Sequence, residues 1–132
     1  MKPLWHFCVW VLVMMLMGGC SGGFNGFKDI HIVESRGHKM LADGIKHYED
    51  SEYRVAKKTI QFALEEGLSR DERVKAHKYL AFIACVSGQQ GTCRDEFTIA
   101  LELNPKFELE PAEAGHPIWG PVFRTAKSKV AH

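Results

Sequence analysis

The fold of this chain is decided by two stretches of equal length, GIKHYEDSEYRVAKKTIQFAL at residues 44–64 and AFIACVSGQQGTCRDEFTIAL at residues 81–101. Internal repeats are the first feature to seek in a sequence, because they set the whole architecture. Here small residues align with small ones and large apolar residues with large ones. The matched pairs are Gly44 with Ala81, Ala56 with Cys93, Ile60 with Phe97, Ala63 with Ala100 and Leu64 with Leu101.

This order of small and large residues is typical of tetratricopeptide repeats, in which each unit is a pair of antiparallel helices. Two helices approach closely only where their side chains are small, and residues seven apart, such as Ala56 and Ala63, lie on one helical stripe. Asn104 and Pro105 close the second copy where the pattern has its proline. The predicted fold is therefore all-α: about two tetratricopeptide-like helical hairpins with a short C-terminal capping helix. An unrelated antiparallel helical bundle is the alternative.

Helix boundaries follow from the apolar pattern and from capping residues. Ser69 with Glu72 three residues later forms a capping box, which predicts a helix start there. The four main helices are predicted at Asp29 to Glu49, Glu52 to Gly67, Arg70 to Ser87 and Thr92 to Leu103.

The beginning of the chain has the features of an export signal. Lys2 precedes an apolar run at residues 4–17, Gly18 and Gly19 follow, and Cys20 comes directly after them. This arrangement resembles the lipobox of bacterial lipoproteins, in which the cysteine is acylated and becomes the first mature residue. We expect a lipoprotein signal peptide at 1–19, lipidation at Cys20, a flexible Gly-rich tether at 20–27 and the helical domain at 28–132. An ordinary cleaved signal and an uncleaved anchor are the alternatives, although the apolar run is short for a membrane span.

Composition limits the possible partners. Loss of Lys2 with the signal leaves 16 basic and 16 acidic side chains, so the mature chain is close to neutral. That balance gives no reason to expect binding to nucleic acid or to anionic lipid.

By resemblance, Ser21 stands where inner-membrane lipoproteins commonly carry Asp, which indicates the outer membrane. The protein would face the periplasm.

The two remaining cysteines, Cys85 and Cys93, fall on either side of the turn between the third and fourth helices. Disulfides persist in exported proteins, so we predict a bond between them. A catalytic thiol, a metal pair and two buried reduced thiols are the alternatives, but no CxxC and no second pair of metal ligands at zinc-like spacing is present.

The C-terminal segment departs from the repeat. Pro111 suits the first turn of a short helix ended by Gly115, and Pro121 can open a last helix that reaches about Lys129. Its apolar residues predict a cap over the second hairpin, which terminal repeats need. The alternative is a partner-binding element built on Trp119 and Arg124, residue types enriched in binding hot spots.

Catalytic chemistry has no support in the sequence. Glu113 and His116 form a weak metal or acid-base pair without a third ligand. Nucleophile elbows, phosphate-binding glycine loops and paired carboxylates are absent from the sequence. We expect no enzyme activity, no metal and no cofactor.

A more specific resemblance covers about the last 55 residues. The residues that carry it are His77 to Ile83, Cys85, Cys93 to Phe97, Ala100-Leu101, Asn104 to Phe107 and Ala114 to Phe123. This part of the chain resembles the TssQ family of small lipoproteins associated with bacterial type VI secretion. The resemblance implies a role beside the envelope-spanning secretion apparatus and brings no catalytic residues with it.

The expected function is that of a lipid-anchored protein-interaction module, an accessory or scaffold component of a type VI secretion system with an envelope secretion component as its partner. A peptidoglycan-associated structural lipoprotein is the alternative. Tetratricopeptide-like hairpins form a concave groove from the first helix of each pair. The predicted lining of that groove is Lys39, Asp43, Lys46, His47, Lys78 and Phe82.

Overall fold

The computed structural model describes residues 26–131, with side chains from Arg36 onward. Over this range the chain is all-helical and contains no strand, as the sequence predicts. The helices in chain order are α1 (Gly26–Glu49), α2 (Tyr53–Glu66), α3 (Arg70–Val86), α4 (Gln90–Leu103), α5 (Pro111–Ala114) and α6 (Gly120–Val130).

Two antiparallel hairpins, α1 with α2 and α3 with α4, form the body of the protein. Most residues matched by the internal repeat lie in the interior of the two hairpins. The fully buried ones are Ala56, Ile60 and Ala63 in the first copy and Ala81, Cys93, Phe97 and Ala100 in the second. The predicted tetratricopeptide-like hairpins are confirmed. The repeated sequence pattern is thus a pattern of helix-to-helix contacts.

Glycine allows α1 to lie very close to α2. A Cβ added at Gly44 would fall 2.6 Å from Cγ1 of Ile60, well inside van der Waals distance. About two turns earlier on α1, a Cβ added at Gly37 would collide with the carbonyl oxygen of Gly67, the residue that follows α2. The two glycines, seven residues apart, keep the first hairpin closely packed along its length.

The boundaries of the four main helices lie within three residues of the predicted ones, and the capping box at α3 is confirmed. The Ser69 hydroxyl accepts a hydrogen bond from the backbone N–H of Glu72, and the Glu72 carboxylate accepts one from the N–H of Ser69 at 3.0 Å. Helix α1 begins at Gly26, so Gly26 and Phe27, expected in the tether, are helical. The predicted signal peptide, Cys20 and the rest of the tether lie outside the described residues.

The C-terminal segment is a cap, as predicted. Helix α6 packs against α4, with the ring centroids of Phe123 and Phe97 5.2 Å apart. Ahead of α6, Trp119 is buried against α3. Helix α5 covers Pro111–Ala114 and ends at Gly115, also as predicted. The segment therefore closes the open side of the second hairpin.

The predicted disulfide is present. Cys85 near the end of α3 and Cys93 in the first turn of α4 are bonded, with Cα atoms 5.1 Å apart, and both residues are buried. Gly88 has φ of +75° in the turn that they bridge, a conformation that glycine adopts at little cost. The bond fixes the tip of the second hairpin.

Candidate functional site

Two side-chain contacts show which side of α1 faces α3. Nδ1 of His38 lies 2.5 Å from the carboxylate of Glu72 on α3. Further along α1, the rings of Tyr48 and Tyr79 meet edge to face with centroids 5.2 Å apart. The C-terminal segment lies against α3 through Glu113. The candidate site lies where α1, α3 and this segment meet.

Three tyrosines form the aromatic part of the site, and we call Tyr48, Tyr53 and Tyr79 the tyrosine cluster. The Tyr48 ring lies 5.7 Å from that of Tyr53 and 5.2 Å from that of Tyr79. All three residues are half-buried, so each ring is held by packing and still reaches solvent. Burial, followed by the neighbouring hydroxyls of Tyr53 and Tyr79 and the charge of Glu113, raises the pKa of Tyr48 to about 12. The pKa of Tyr79 is also raised, first by burial and then by the charges of Glu113 and Glu49.

An ion pair lies beside the tyrosine cluster. Nζ of Lys78 donates to the carboxylate of Glu113 at 2.6 Å, and only 13% and 21% of the two side chains are exposed. The same ammonium lies 4.9 Å from the ring centroid of Tyr79 and 5.6 Å from that of Phe82. A cation at this distance from an aromatic face is attracted by the ring quadrupole.

Glu113 is held in place by its own helix. Its second carboxylate oxygen accepts the backbone N–H of Glu110 at 3.0 Å in a capping box at the start of α5. The indole N–H of Trp119 donates to the Glu113 carbonyl at 2.9 Å. Because both the side chain and the backbone of Glu113 are fixed, Lys78 has a well-ordered partner.

A cavity of about 410 Å³ continues from Lys78 towards the beginning of α3. Val74, buried, and Phe107, half-buried, supply its apolar lining, and the remaining lining residues are polar or charged. These are Asp71, Lys75, Lys78, Asn104, Glu108 and Glu110. The volume falls in the range of small-ligand pockets, and its open, mixed-charge lining also suits a stretch of polypeptide.

Of the predicted groove residues, Lys78 lies in this site and Phe82 does not line an open surface. Phe82 is only 2% exposed, because it packs between Phe97 and Trp119 in the core. The prediction that Phe82 contacts a partner is therefore wrong. Its ring packs in the core and stabilises the second hairpin. Trp119 is corrected for the same reason, since it is 8% exposed and its indole N–H is already bonded. Arg124 is exposed on α6 and stays a prediction.

The structure does not bring the other four predicted residues together with Lys78. Lys39, Asp43 and Lys46 are exposed, but successive helical residues are about 100° apart, which places them away from the side of α1 that His38 and Tyr48 turn towards α3. His47 is engaged locally, with Nδ1 2.5 Å from the carboxylate of Glu52. Their role in partner binding remains a prediction, and it concerns a surface separate from the one that contains Lys78.

Sequence reasoning missed the tyrosine cluster. At the offset of the repeat, Tyr48 aligns with Cys85 and Tyr79 with Ala42, so neither tyrosine recurs and the alignment carries no signal for it. Glu113 drew attention only as a partner for His116, whereas the His116 ring stacks on Trp119 with centroids 3.4 Å apart. The contact between Glu113 and Lys78 joins residues far apart in sequence, and only the fold reveals it.

Among residues 26–131, no group of three or more histidine, cysteine or acidic side chains is arranged to hold a metal ion. Within the same described range, no helix is both long and apolar enough to cross a membrane. Comparison of the chain with protein-family models, with curated proteins and with solved structures finds no match.

Proposed function

We propose that this chain is a protein-interaction module, held at the periplasmic face of the outer membrane by acyl chains on Cys20, and an accessory or scaffold component of a type VI secretion system. The lipobox-like start of the sequence supports the location, and the resemblance of the last 55 or so residues to TssQ lipoproteins supports the secretion role. The short helical-repeat fold supports binding to a polypeptide, since such hairpins present extended surfaces to partners.

The observation that carries the proposal is the site at the junction of α1, α3 and the C-terminal segment. It joins half-buried tyrosines, a fixed ion pair and an open cavity of about 410 Å³. Tyrosine is enriched in protein interfaces, because it offers a large rigid surface with a polar end. A site of this composition suits a segment of a partner protein.

Crosslinking in cells tests the proposal. A photoreactive amino acid replaces Lys75, an exposed residue of the cavity, or, as a matched control, Gln61, an exposed residue of α2 that is not among the cavity residues. We expect position 75 to capture an envelope component of the secretion apparatus that position 61 does not. Equal capture at both positions would contradict a specific interface. Capture of cell-wall fragments at position 75 would favour the peptidoglycan-associated alternative.

Lipid attachment has its own test. Cells fed an alkyne fatty acid should label the protein, and the Cys20→Ser variant should lose both the label and the membrane fraction. One acyl chain anchors weakly whereas several together hold a protein stably. Label retained in the variant would contradict Cys20 as the acylated residue.

A further inference from the structure

We propose that the tyrosine cluster, together with the acidic connection between α1 and α2, binds a basic side chain, arginine or lysine, that the partner presents. The inference rests on the proposed function and names the chemistry that the partner must bring to the same site.

The geometry of the rings is the first support. The ring planes of Tyr48 and Tyr53 are inclined at 49° and those of Tyr48 and Tyr79 at 74°, so the three half-buried rings face in different directions. Aromatic faces attract cations, and pockets of several such rings bind ammonium groups. The chain itself shows this preference: the Lys78 ammonium lies against Tyr79 and Phe82.

The charge beside the cluster is the second support. Glu49, Asp50 and Glu52 lie in or next to the connection that joins α1 to α2, and all three are exposed. Glu52 is in contact with His47, but no ion pair of Glu49 or Asp50 is present in the described part of the chain. Glu49 directly follows Tyr48 in the chain, and its charge is the last of three causes, after burial and the charge of Glu113, that raise the pKa of Tyr79.

The basic group that contacts the tyrosine cluster is already paired. Lys78 is the basic group in contact with the cluster, and its charge is taken up by Glu113 at 2.6 Å. Lys46 is exposed one helical turn before Asp50, and no ion pair between the two is present in the described residues. An incoming cation therefore meets aromatic faces and two carboxylates without an ion-pair partner in the described residues. An incoming anion would have to break the pair between Lys78 and Glu113.

Nuclear magnetic resonance of the full mature chain in detergent, with its tyrosine rings isotopically labelled, tests the inference. The probes are Nα-acetyl-arginine amide and the neutral Nα-acetyl-citrulline amide, which has almost the same shape. We expect saturable shifts of the Tyr48, Tyr53 and Tyr79 ring signals with the arginine probe alone. Equal shifts with the citrulline probe, or saturable shifts with Nα-acetyl-glutamate amide instead, would overturn the inference.

Two variants sharpen the result. Glu49→Gln combined with Asp50→Asn changes only exposed groups, so the fold is retained, and it should weaken arginine binding about two- to fivefold, as for exposed ion pairs. Phe62→Leu alters an exposed ring on α2 that is 54% accessible and should leave binding unchanged. Affinity unaffected by the double substitution would count against the acidic connection.

The two proposals can fail separately. Capture of a partner at position 75 without arginine binding would leave the interaction module standing and remove the basic-side-chain inference. Arginine binding without any captured partner would do the opposite.

Discussion

The indole ring of Trp119 lies almost flat on the phenyl ring of Phe82, with centroids 4.5 Å apart and planes 28° from parallel. Phe82 belongs to α3 and Trp119 to the segment that leads into α6. Through this stack the last part of the chain becomes part of the core of the second hairpin. The same contact fixes the backbone to which Glu113 belongs, because the indole N–H is bonded to the Glu113 carbonyl.

Replacing Trp119 with alanine should therefore destabilise the whole second hairpin. Loss of a buried tryptophan typically costs about 3–5 kcal/mol, and a small domain has only about 5–15 kcal/mol in total. Urea unfolding followed by far-ultraviolet circular dichroism measures the change. Arg124→Ala, at an exposed position of α6, is the control and should stay within about 0.5 kcal/mol. A loss below 1 kcal/mol for Trp119→Ala would mean that the segment is a removable lid.

Gly44→Ala should open the first hairpin, because the new Cβ would lie 2.6 Å from Ile60 in a fully packed contact. Overpacking of this kind costs about 1–3 kcal/mol. The matched control is Gly91→Ala on α4, where an added Cβ meets nothing within 4 Å and alanine favours the helix. Thermal unfolding should show a lower midpoint for the first variant and an unchanged or higher one for the second. Equal effects would disprove the close approach at Gly44.

Reduction should weaken the second hairpin, since the bond between Cys85 and Cys93 closes a short loop, with a sequence separation of 8. In the chain-entropy account such a loop stabilises by about 2–3 kcal/mol. We expect dithiothreitol to lower the unfolding midpoint of the native chain and to leave that of a Cys85→Ala, Cys93→Ala double variant unchanged. Sensitivity of the double variant to dithiothreitol would show that the reagent acts elsewhere.

The capping box at α3 should make stability depend on acidity. The Ser69 hydroxyl bond, followed by the contact with His38, lowers the pKa of Glu72 from its ordinary value of 4.5. The ionised carboxylate therefore contributes stability fully above pH 4.5, and that contribution is lost as the pH falls through the lowered pKa.

Ser69→Ala tests this dependence directly. The variant should be about 1 kcal/mol less stable at neutral pH, and the gap to the native chain should narrow in acid, because Glu72 is then protonated in both proteins. Urea unfolding at a series of pH values measures the gap. Ser128→Ala, which removes an exposed hydroxyl near the end of α6, should show no such trend. A gap constant down to strong acid would contradict the role of Glu72.

The fold could be predicted because its determinants repeat. Ala56, Ile60 and Ala63 recur as Cys93, Phe97 and Ala100, and each repeat copies the same helix contact. Ser69 and the cysteine pair act over a few residues, so their partners could be named from sequence. Gly37 was missed, since its contact with Gly67 has no counterpart in the second copy.

The site could not be predicted in the same way. Lys78 meets Glu113 across 35 residues, and Tyr48 meets Tyr79 across the two hairpins, so both contacts depend on how elements of different repeats pack. Helical periodicity indicates which residues share a face, but it does not specify which face a later segment will cover. For that reason Phe82, predicted to line a groove, is found in the core, and Trp119 belongs to the predicted cap and not to the alternative partner-binding element.

The cap formed by α6 limits how far the helical repeat can extend. Its outer side carries Arg124, Thr125, Ser128 and Lys129, all exposed, so the outer side of α6 itself is polar. The first hairpin does expose Val55 and Phe62. Ile99 on α4 and Ile118 just before α6 are exposed as well. Because α6 already covers α4, a further helical hairpin could not stack on that side of the chain without displacing the cap.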